Sequence, residues 1–368
     1  MKLHVENLRA VLGDTHFRYD MLVDGGIYGI FGMSGSGKST LMKLLSGIEK
    51  ATSGRILFND TVFFDSEAGV NVPPHRRNVG VVFQEHHIFP HLTVAKNLQF
   101  GLRFTKRRHM SFDDVVSLLE LQPLLQKMPS CLSGGERQRV AIGRALLQQP
   151  GMLLFDEPFS NLDRSRRGQI ISYLLRIHHR FQIPLLIISH DLEDILKLTQ
   201  SLIIVEKQSI LASGSYMEMV EAGVVPHLIT PKRFINTVEL IHQQYDSKTR
   251  LNHFGLSVDS DSLIVTGAGP VNENHDPGRR VRLAIAPDDI ALSTDTCSAI
   301  SVQNQIRGTV TRILHMNDSF FISVDCGVTL ISEITPSALY QLDVKPGREL
   351  VCLFKARSVE VVHVYQQA

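Results

Sequence analysis

Gly32-Met33-Ser34-Gly35-Ser36-Gly37-Lys38-Ser39-Thr40 is the stretch whose reading decides the fold. The apolar run Ile27-Tyr28-Gly29-Ile30-Phe31 before it predicts a short buried strand, and Leu41-Met42-Lys43-Leu44-Leu45-Ser46-Gly47 after it predicts a helix closed by glycine. Strand, glycine-rich loop and helix in that order make a phosphate-binding P-loop. The glycines let the backbone wrap closely round an anion, so that successive N–H groups and the positive end of the helix dipole face the β- and γ-phosphates. Lys38 adds a mobile positive charge, and the Ser39 hydroxyl is placed to ligate Mg²⁺. The expected site therefore spans Gly32, Ser34, Gly35, Ser36, Gly37, Lys38, Ser39 and Thr40, and takes a nucleoside triphosphate.

Length allows two or three domains of about 150 residues each. Lys plus Arg is 38 and Asp plus Glu is 37, so the chain has no excess charge to attract a polyanion, and nucleic acid is not an expected partner. Cys131, Cys297, Cys326 and Cys352 form no CxxC pair, which speaks against a metal site or a disulfide framework and fits a reducing compartment. The opening Met1-Lys2-Leu3-His4-Val5-Glu6 alternates like a strand and lacks the order of a signal peptide. No apolar run approaches the ~18 residues of a membrane span, so any membrane role is expected to be peripheral.

Further along, Arg76-Arg77-Asn78-Val79-Gly80-Val81-Val82-Phe83 predicts a buried strand ending at Gln84. Thr93 caps a predicted helix running towards Gly101, and Ser111 with Asp114 caps another through Leu119. Leu132-Ser133-Gly134-Gly135-Glu136-Arg137-Gln138 leads into a helix with Ile142, Ala145 and Leu146 on one face. Two more buried strands follow, Met152-Leu153-Leu154-Phe155 ending at Asp156-Glu157 and Leu185-Leu186-Ile187-Ile188 ending at Ser189-His190. In a parallel sheet the ends of these four strands share one edge, the edge where ligands of α/β proteins bind.

At that edge Asp156 stands where a carboxylate holds Mg²⁺, directly or through water. Glu157 beside it is the candidate general base for an attacking water. His190 is placed to hydrogen-bond the γ-phosphate or Glu157, and Gln84 to orient the water or complete the Mg²⁺ shell. Ser133-Gly134-Gly135 at a helix start offers a second set of backbone N–H groups for an anion, or simply a capped helix.

Taken in order, these motifs resemble the ATP-binding-cassette ATPases over about residues 1–230: Gln84 matches the Q-loop, Leu132 to Gln138 the signature, Ser160-Asn161-Leu162-Asp163 the D-loop and His190 the switch histidine. The resemblance implies an α/β P-loop cassette with a helical subdomain at about residues 86–150. It also implies a head-to-tail homodimer in which ATP lies between one P-loop and Ser133, Gly134 and Gly135 acting in trans, with Asp163 nearby. An integral membrane permease would be its partner, reached from the cytoplasmic face of the membrane, with a periplasmic oxyanion-binding protein joined through the complex. The chain departs from the family at Val11-Leu12-Gly13, where an aromatic would stack on adenine and only Phe17 and Tyr19 lie nearby.

Residues 231–280 read as a linker, with turn signals such as Gly267-Ala268-Gly269-Pro270. From Arg280 the apolar period becomes two, through Leu283, Phe320, Val324, Leu350 and Phe354, predicting an all-β, OB-like barrel. No long internal repeat is visible. Ile285 to Leu292, Ile300 to Gly308, Thr335 to Leu339 and Pro346 to Ala356 resemble the oxyanion-binding Mop module of molybdate importers, although Gln303 stands where that module often has Arg. The resemblance implies molybdate uptake, with Ser337, Lys355 and Ser358 as candidate oxyanion ligands or, alternatively, a purely structural barrel. Cassettes of sulfate, iron, polyamine and sugar importers also carry such barrels, and these cargoes stay open, as does a non-transport ATPase. The basic group Arg103, Lys106, Arg107 and Arg108 reads as a solvated face, and His86, His87 and His91 lack a ligand partner at metal spacing.

Overall fold

The computed structural model describes residues 2–102, 110–160, 162–221, 235–261, 263–267, 277–316 and 318–365; Arg103, Lys106, Arg107, Arg108 and Asn161 lie outside them. The chain divides into two compact units, Met1–Leu228 and Ile229–Ala368.

The first unit holds one eleven-stranded sheet in the order β6-β5-β4-β1-β2-β11-β10-β3-β9-β8-β7. Its strands are β1 (Lys2–Leu12), β2 (Thr15–Asp24), β3 (Ile27–Phe31), β4 (Ser53–Phe58), β5 (Thr61–Asp65), β6 (Val70–Asn71), β7 (Val79–Val82), β8 (Met152–Asp156), β9 (Leu185–Ser189), β10 (Ser201–Glu206) and β11 (Ser209–Ser215). The hairpin β1–β2 alternates buried and exposed residues, as a sheet with one wet face requires, whereas β8 and β9 are apolar and buried almost throughout. That difference in pattern separates the antiparallel flank from the parallel centre: β10, β3, β9, β8 and β7 all run the same way. Their ends therefore meet on one edge.

Helix α1 (Lys38–Ser46) follows β3 and packs Leu41, Met42, Leu44 and Leu45 into the core. Its last carbonyls are capped by Arg77, which is only 1% exposed and donates to Leu44 O at 2.7 Å and Leu45 O at 3.0 Å. Between β7 and β8 the chain is helical, with α2 (Val94–Leu102), α3 (Phe112–Leu118) and α4 (Gly134–Leu146). Reciprocal capping boxes start α3 at Ser111–Asp114 and α4 at Ser133–Glu136. Helices α5 (Arg164–Phe181), α6 (Leu192–Leu198) and α7 (Tyr216–Glu221) complete the unit.

In the second unit the stretch expected as a linker is instead sheet. Strands β12 (Asn236–Asp246), β13 (Leu251–Gly255) and β14 (Ile264–Thr266) precede β15 (Arg280–Ile285) and β16 (Ala291–Ser293). Then come β17 (Asn304–Met316), β18 (Ser319–Asp325), β19 (Thr329–Ile334), α8 (Pro336–Gln341), β20 (Glu349–Phe354) and β21 (Glu360–Val364). They form two five-stranded sheets, β14-β13-β12-β15-β21 and β16-β20-β17-β18-β19, around one shared apolar core.

Reversing the second order shows that the sheets correspond strand for strand, with β21 and β16 exchanged between the halves. The polar seams correspond too. Asn236 on β12 exchanges two hydrogen bonds with the backbone of Ile331 on β19, at 2.9 and 2.7 Å, and Asn304 on β17 does the same with Val265 on β14, at 3.0 and 2.7 Å. Thr266 Oγ1 donates to Val359 O, and Ser332 Oγ to Ile290 O. The unit is thus built as a duplication, contrary to the expectation of no internal repeat. What the halves share is a period of two and a few polar positions, while their loops differ, so residue identity hides the repeat.

Candidate functional site

Four strand ends converge as the topology requires. The loop between β3 and α1 is held at its glycines: a Cβ on Gly32 would lie 2.1 Å from Val205 O, and Gly37 has a φ of 106° with its notional Cβ 2.7 Å from the Tyr19 hydroxyl. Neither position accepts a side chain. Lys38 Nζ donates to Gly32 O at 2.7 Å and Met33 O at 2.9 Å, which holds the ammonium against the loop. Burial pulls the Lys38 pKa down, against the attraction of Glu157 and Asp156. Ser39 Oγ donates to Asp156 Oδ1 at 3.2 Å, and burial pushes the Asp156 carboxyl above the usual range.

These groups fit a triphosphate with its divalent ion. Among the described residues the Ser36 hydroxyl is buried without a hydrogen-bond partner, and an anion oxygen is what such a group on a glycine loop would donate to. Ser39 and Asp156 form the hard oxygen pair that Mg²⁺ prefers. Ser34 and Gly35 are exposed at the loop, and Thr40 is half-buried in the first turn of α1.

Glu157 has a left-handed φ of 49°, fixed by Ser160, whose N–H and hydroxyl both reach the Glu157 carbonyl, at 3.2 and 2.9 Å. This turn aims Glu157 Oε2 at His190 Nδ1, 2.8 Å away. His190 itself is mostly exposed, and Gln84 stands exposed beyond the end of β7.

Ser133, Gly134, Gly135 and Asp163 are not drawn to this cluster within the chain. The Ser133 hydroxyl accepts from Glu136 N at 3.3 Å as the N-cap of α4, and Gly134 and Gly135 have open space around them. Asp163 caps α5, accepting from Arg166 N at 3.0 Å. Among the described residues none of the four hydrogen-bonds to the phosphate loop. In the second unit Lys355 and Ser358 share one turn, where Ser358 N donates to Lys355 O at 3.0 Å, and Ser337 is exposed on α8.

Sequence reasoning missed the groups that brace the phosphate loop. Tyr19 donates its hydroxyl to Gly37 O at 2.8 Å, and Gln208 donates its side chain to Gly35 O and its N–H to Ser36 O, both at 3.0 Å. Lys207 and Gln208 take positive φ in the β10–β11 turn, and no local motif announces that this hairpin caps the loop. Phe17 is buried against Tyr19 and Gly37. Gln138 of α4 reaches Pro158 O, joining the signature helix to the segment after Glu157.

The ABC transporter family profile matches residues 21–160, and the TOBE domain profile matches residues 300–361. The chain is 33% identical over 342 residues to the molybdenum import ATP-binding protein ModC of Rhizobium etli, covering 92% of this chain and 94% of that one. It is 35% identical over 361 residues to the ModC of Paramagnetospirillum magneticum, covering 96% of each. Among solved structures it resembles cbiO1 from Clostridium perfringens, part of the ABC transporter complex cbiONQ, with a TM-score of 0.51 and 26% identity over 61% of this chain and 92% of that one. The TOBE match falls on the second half of the duplicated unit alone. With the phosphate loop, the Asp156–Glu157 strand end and this likeness along nearly the whole chain, the protein belongs to the ModC family of ABC transporter ATP-binding subunits and is an ATPase.

Proposed function

We propose that the chain hydrolyses ATP to drive molybdate import through a membrane permease. The observation that carries the chemistry is the Glu157–His190 hydrogen bond beside the Ser39–Asp156 pair. Lys38 and the loop N–H groups bind and orient the phosphates, while Ser39 and Asp156, with Gln84, would hold Mg²⁺. The ion supplies charge neutralisation at the phosphate oxygens when bound. Glu157 Oε2 is engaged by His190, which leaves Oε1 to take the proton of the attacking water. His190, held at 2.8 Å, fixes the carboxylate's orientation and stands ready to report on the γ-phosphate.

A second copy of the chain would close the site. Open glycines at the start of α4 support this reading, because among the described residues nothing crowds Gly134 or Gly135 and Ser133 serves as the cap. Asp163 would lie at the same contact. For the permease, a cleft of about 230 Å³ lined by Val81, His87, Phe89, Phe100 and Arg144 lies just beyond Gln84. The Phe89 and Phe100 rings meet at a tilt with centroids 4.5 Å apart, and the Arg144 guanidinium lies 5.0 Å from the Phe89 ring, a surface suited to an inserted helix. Among the described residues no helix is long and apolar enough to cross a membrane, which accords with peripheral attachment at the cytoplasmic face.

Molybdate as cargo rests on the import named for the ModC relatives. The test is ATP turnover by the chain reconstituted with its permease and a periplasmic oxyanion-binding protein, against molybdate, tungstate and sulfate. Stimulation by molybdate and tungstate but not sulfate is expected. Stimulation by sulfate alone would reassign the cargo while leaving the ATPase intact, and Gln84→Ala should uncouple turnover from cargo.

A further inference from the structure

Arg167, in the first turn of α5, makes contacts that the reaction described above does not use. Its Nε donates to the carbonyl of Leu162 at 3.1 Å, and Leu162 precedes Asp163 in the segment expected to face a second chain. Its Nη1 donates to Asp191 Oδ2 at 2.9 Å and Asp194 Oδ2 at 3.0 Å. Asp191 follows His190 directly; its other carboxylate oxygen accepts from Glu193 N as the cap of α6, and its N–H donates to Ser189 Oγ. One guanidinium thus grips the Leu162–Asp163 segment on one side and the residue after His190 on the other.

Stability is a poor reason for this arrangement. Asp194 is 5% exposed, and burial, with Asp191 adding to it, pushes its carboxyl up to about 6. Arg167 therefore does not fully offset the cost of burying that charge, and buried ion pairs often add less than an apolar replacement would. Geometry is what the cluster supplies. His190 reaches Glu157 by a single hydrogen bond from an exposed position, so its placement depends on the backbone at Ser189–Asp191.

We propose that Arg167 is a positioning residue for hydrolysis, fixing the Leu162–Asp163 segment to the strand end that carries His190 so that contact at the first aligns the His190–Glu157 pair. The inference rests on the ATPase reading. Arg167→Lys keeps a cation opposite Asp191 and Asp194 but removes the Nε–H that holds Leu162, so it tests the tether apart from the ion pair. In the full-length chain, kcat should fall at least tenfold, with nucleotide Kd within twofold of the parent and an unchanged melting temperature. In a His190→Ala background the same substitution should cost little more, because both changes act through one link. Asp191→Asn, which weakens the grip from the other side, should reproduce the kcat loss and serves as the readout if the lysine variant is unstable. Parent-like kcat in both variants, or full additivity with His190→Ala, would overturn the proposal. A parent chain that binds ATP yet never hydrolyses it would instead overturn the ATPase reading, a different result in the same assay.

Discussion

The two units use polar side chains to opposite ends. In the first, Ser39, Asp156, Glu157 and His190 come from three strand ends, pair as Ser39–Asp156 and Glu157–His190, and all face one edge. In the second, Asn236 and Asn304, and Thr266 and Ser332, occur as equivalent pairs stitching one sheet to the other. A polar group repeated by a duplication serves the architecture both halves share, whereas one without a counterpart is free to serve chemistry. The comparison also says where each unit is vulnerable: the first relies on unique supports, the second on duplicated ones.

Arg77 is the unique support whose loss should cost most. It donates to Leu44 O, Leu45 O, Val72 O and Asn71 Oδ1 from a fully buried position, capping the helix whose other end is the phosphate loop. Burial pulls its pKa down to about 10, still far above neutrality, so the cation persists. Arg77→Met strips these oxygens of a buried charged donor and leaves Leu44 O only its bond from Gly47 N, and a loss of about 3–5 kcal/mol is expected, measured by denaturant unfolding of the first unit. A loss below 1 kcal/mol would mean the cap is dispensable. Next in size is Glu157→Gln, which keeps the side chain's volume and its hydrogen bond towards His190 but removes the proposed base. ATP binding should persist while turnover drops ~10²-fold or more, about 2.7 kcal/mol in barrier height. Near-normal turnover would move the base elsewhere and undo the assignment of chemistry to this edge.

Much of the first unit was legible because its signals are local. The P-loop, the strand ends at Gln84, Asp156 and His190, and the cap pairs Ser111–Asp114 and Ser133–Glu136 each lie within a few residues of sequence. What stayed hidden connects residues far apart: Gln208 to Gly35, Tyr19 to Gly37, Arg77 to Leu44, Arg167 to Asp194. Single glutamines and arginines carry no periodicity, so only the fold reveals them. The second unit was legible as β structure from Arg280 onward but not before. Residues 236–266 mix His242, Gln243, Gln244 and Asn252 into their strands, which blurs the alternation that would have announced them.

The asparagine seams give the third prediction, and the most direct test of duplication. Asn236→Ala strips one buried N–H and one buried C=O at Ile331 of their partner, and Asn304→Ala strips the half-buried equivalents at Val265. Each should cost about 2 kcal/mol in the unfolding of the second unit, the two values agreeing within about 0.5 kcal/mol, with ATP turnover unchanged. Strongly unequal losses would show that the halves share a topology without sharing its supports.

The smallest effect on stability should be the most informative about cargo, because it falls where the duplication is broken. The turn Lys355-Ala356-Arg357-Ser358 after β20 corresponds to Ala286-Pro287-Asp288-Asp289 after β15. One copy presents two cations and a hydroxyl, the other two carboxylates, and only the first suits a tetrahedral dianion. Ser358→Asp makes the second turn like the first at a position that is not deeply buried, so unfolding should change by no more than about 0.5 kcal/mol. Molybdate binding to the purified chain, followed by calorimetry, should nevertheless disappear, as it should in Lys355→Ala. Binding that survives both substitutions would take the oxyanion away from this turn and leave the asymmetry of the two halves as drift in a structural barrel.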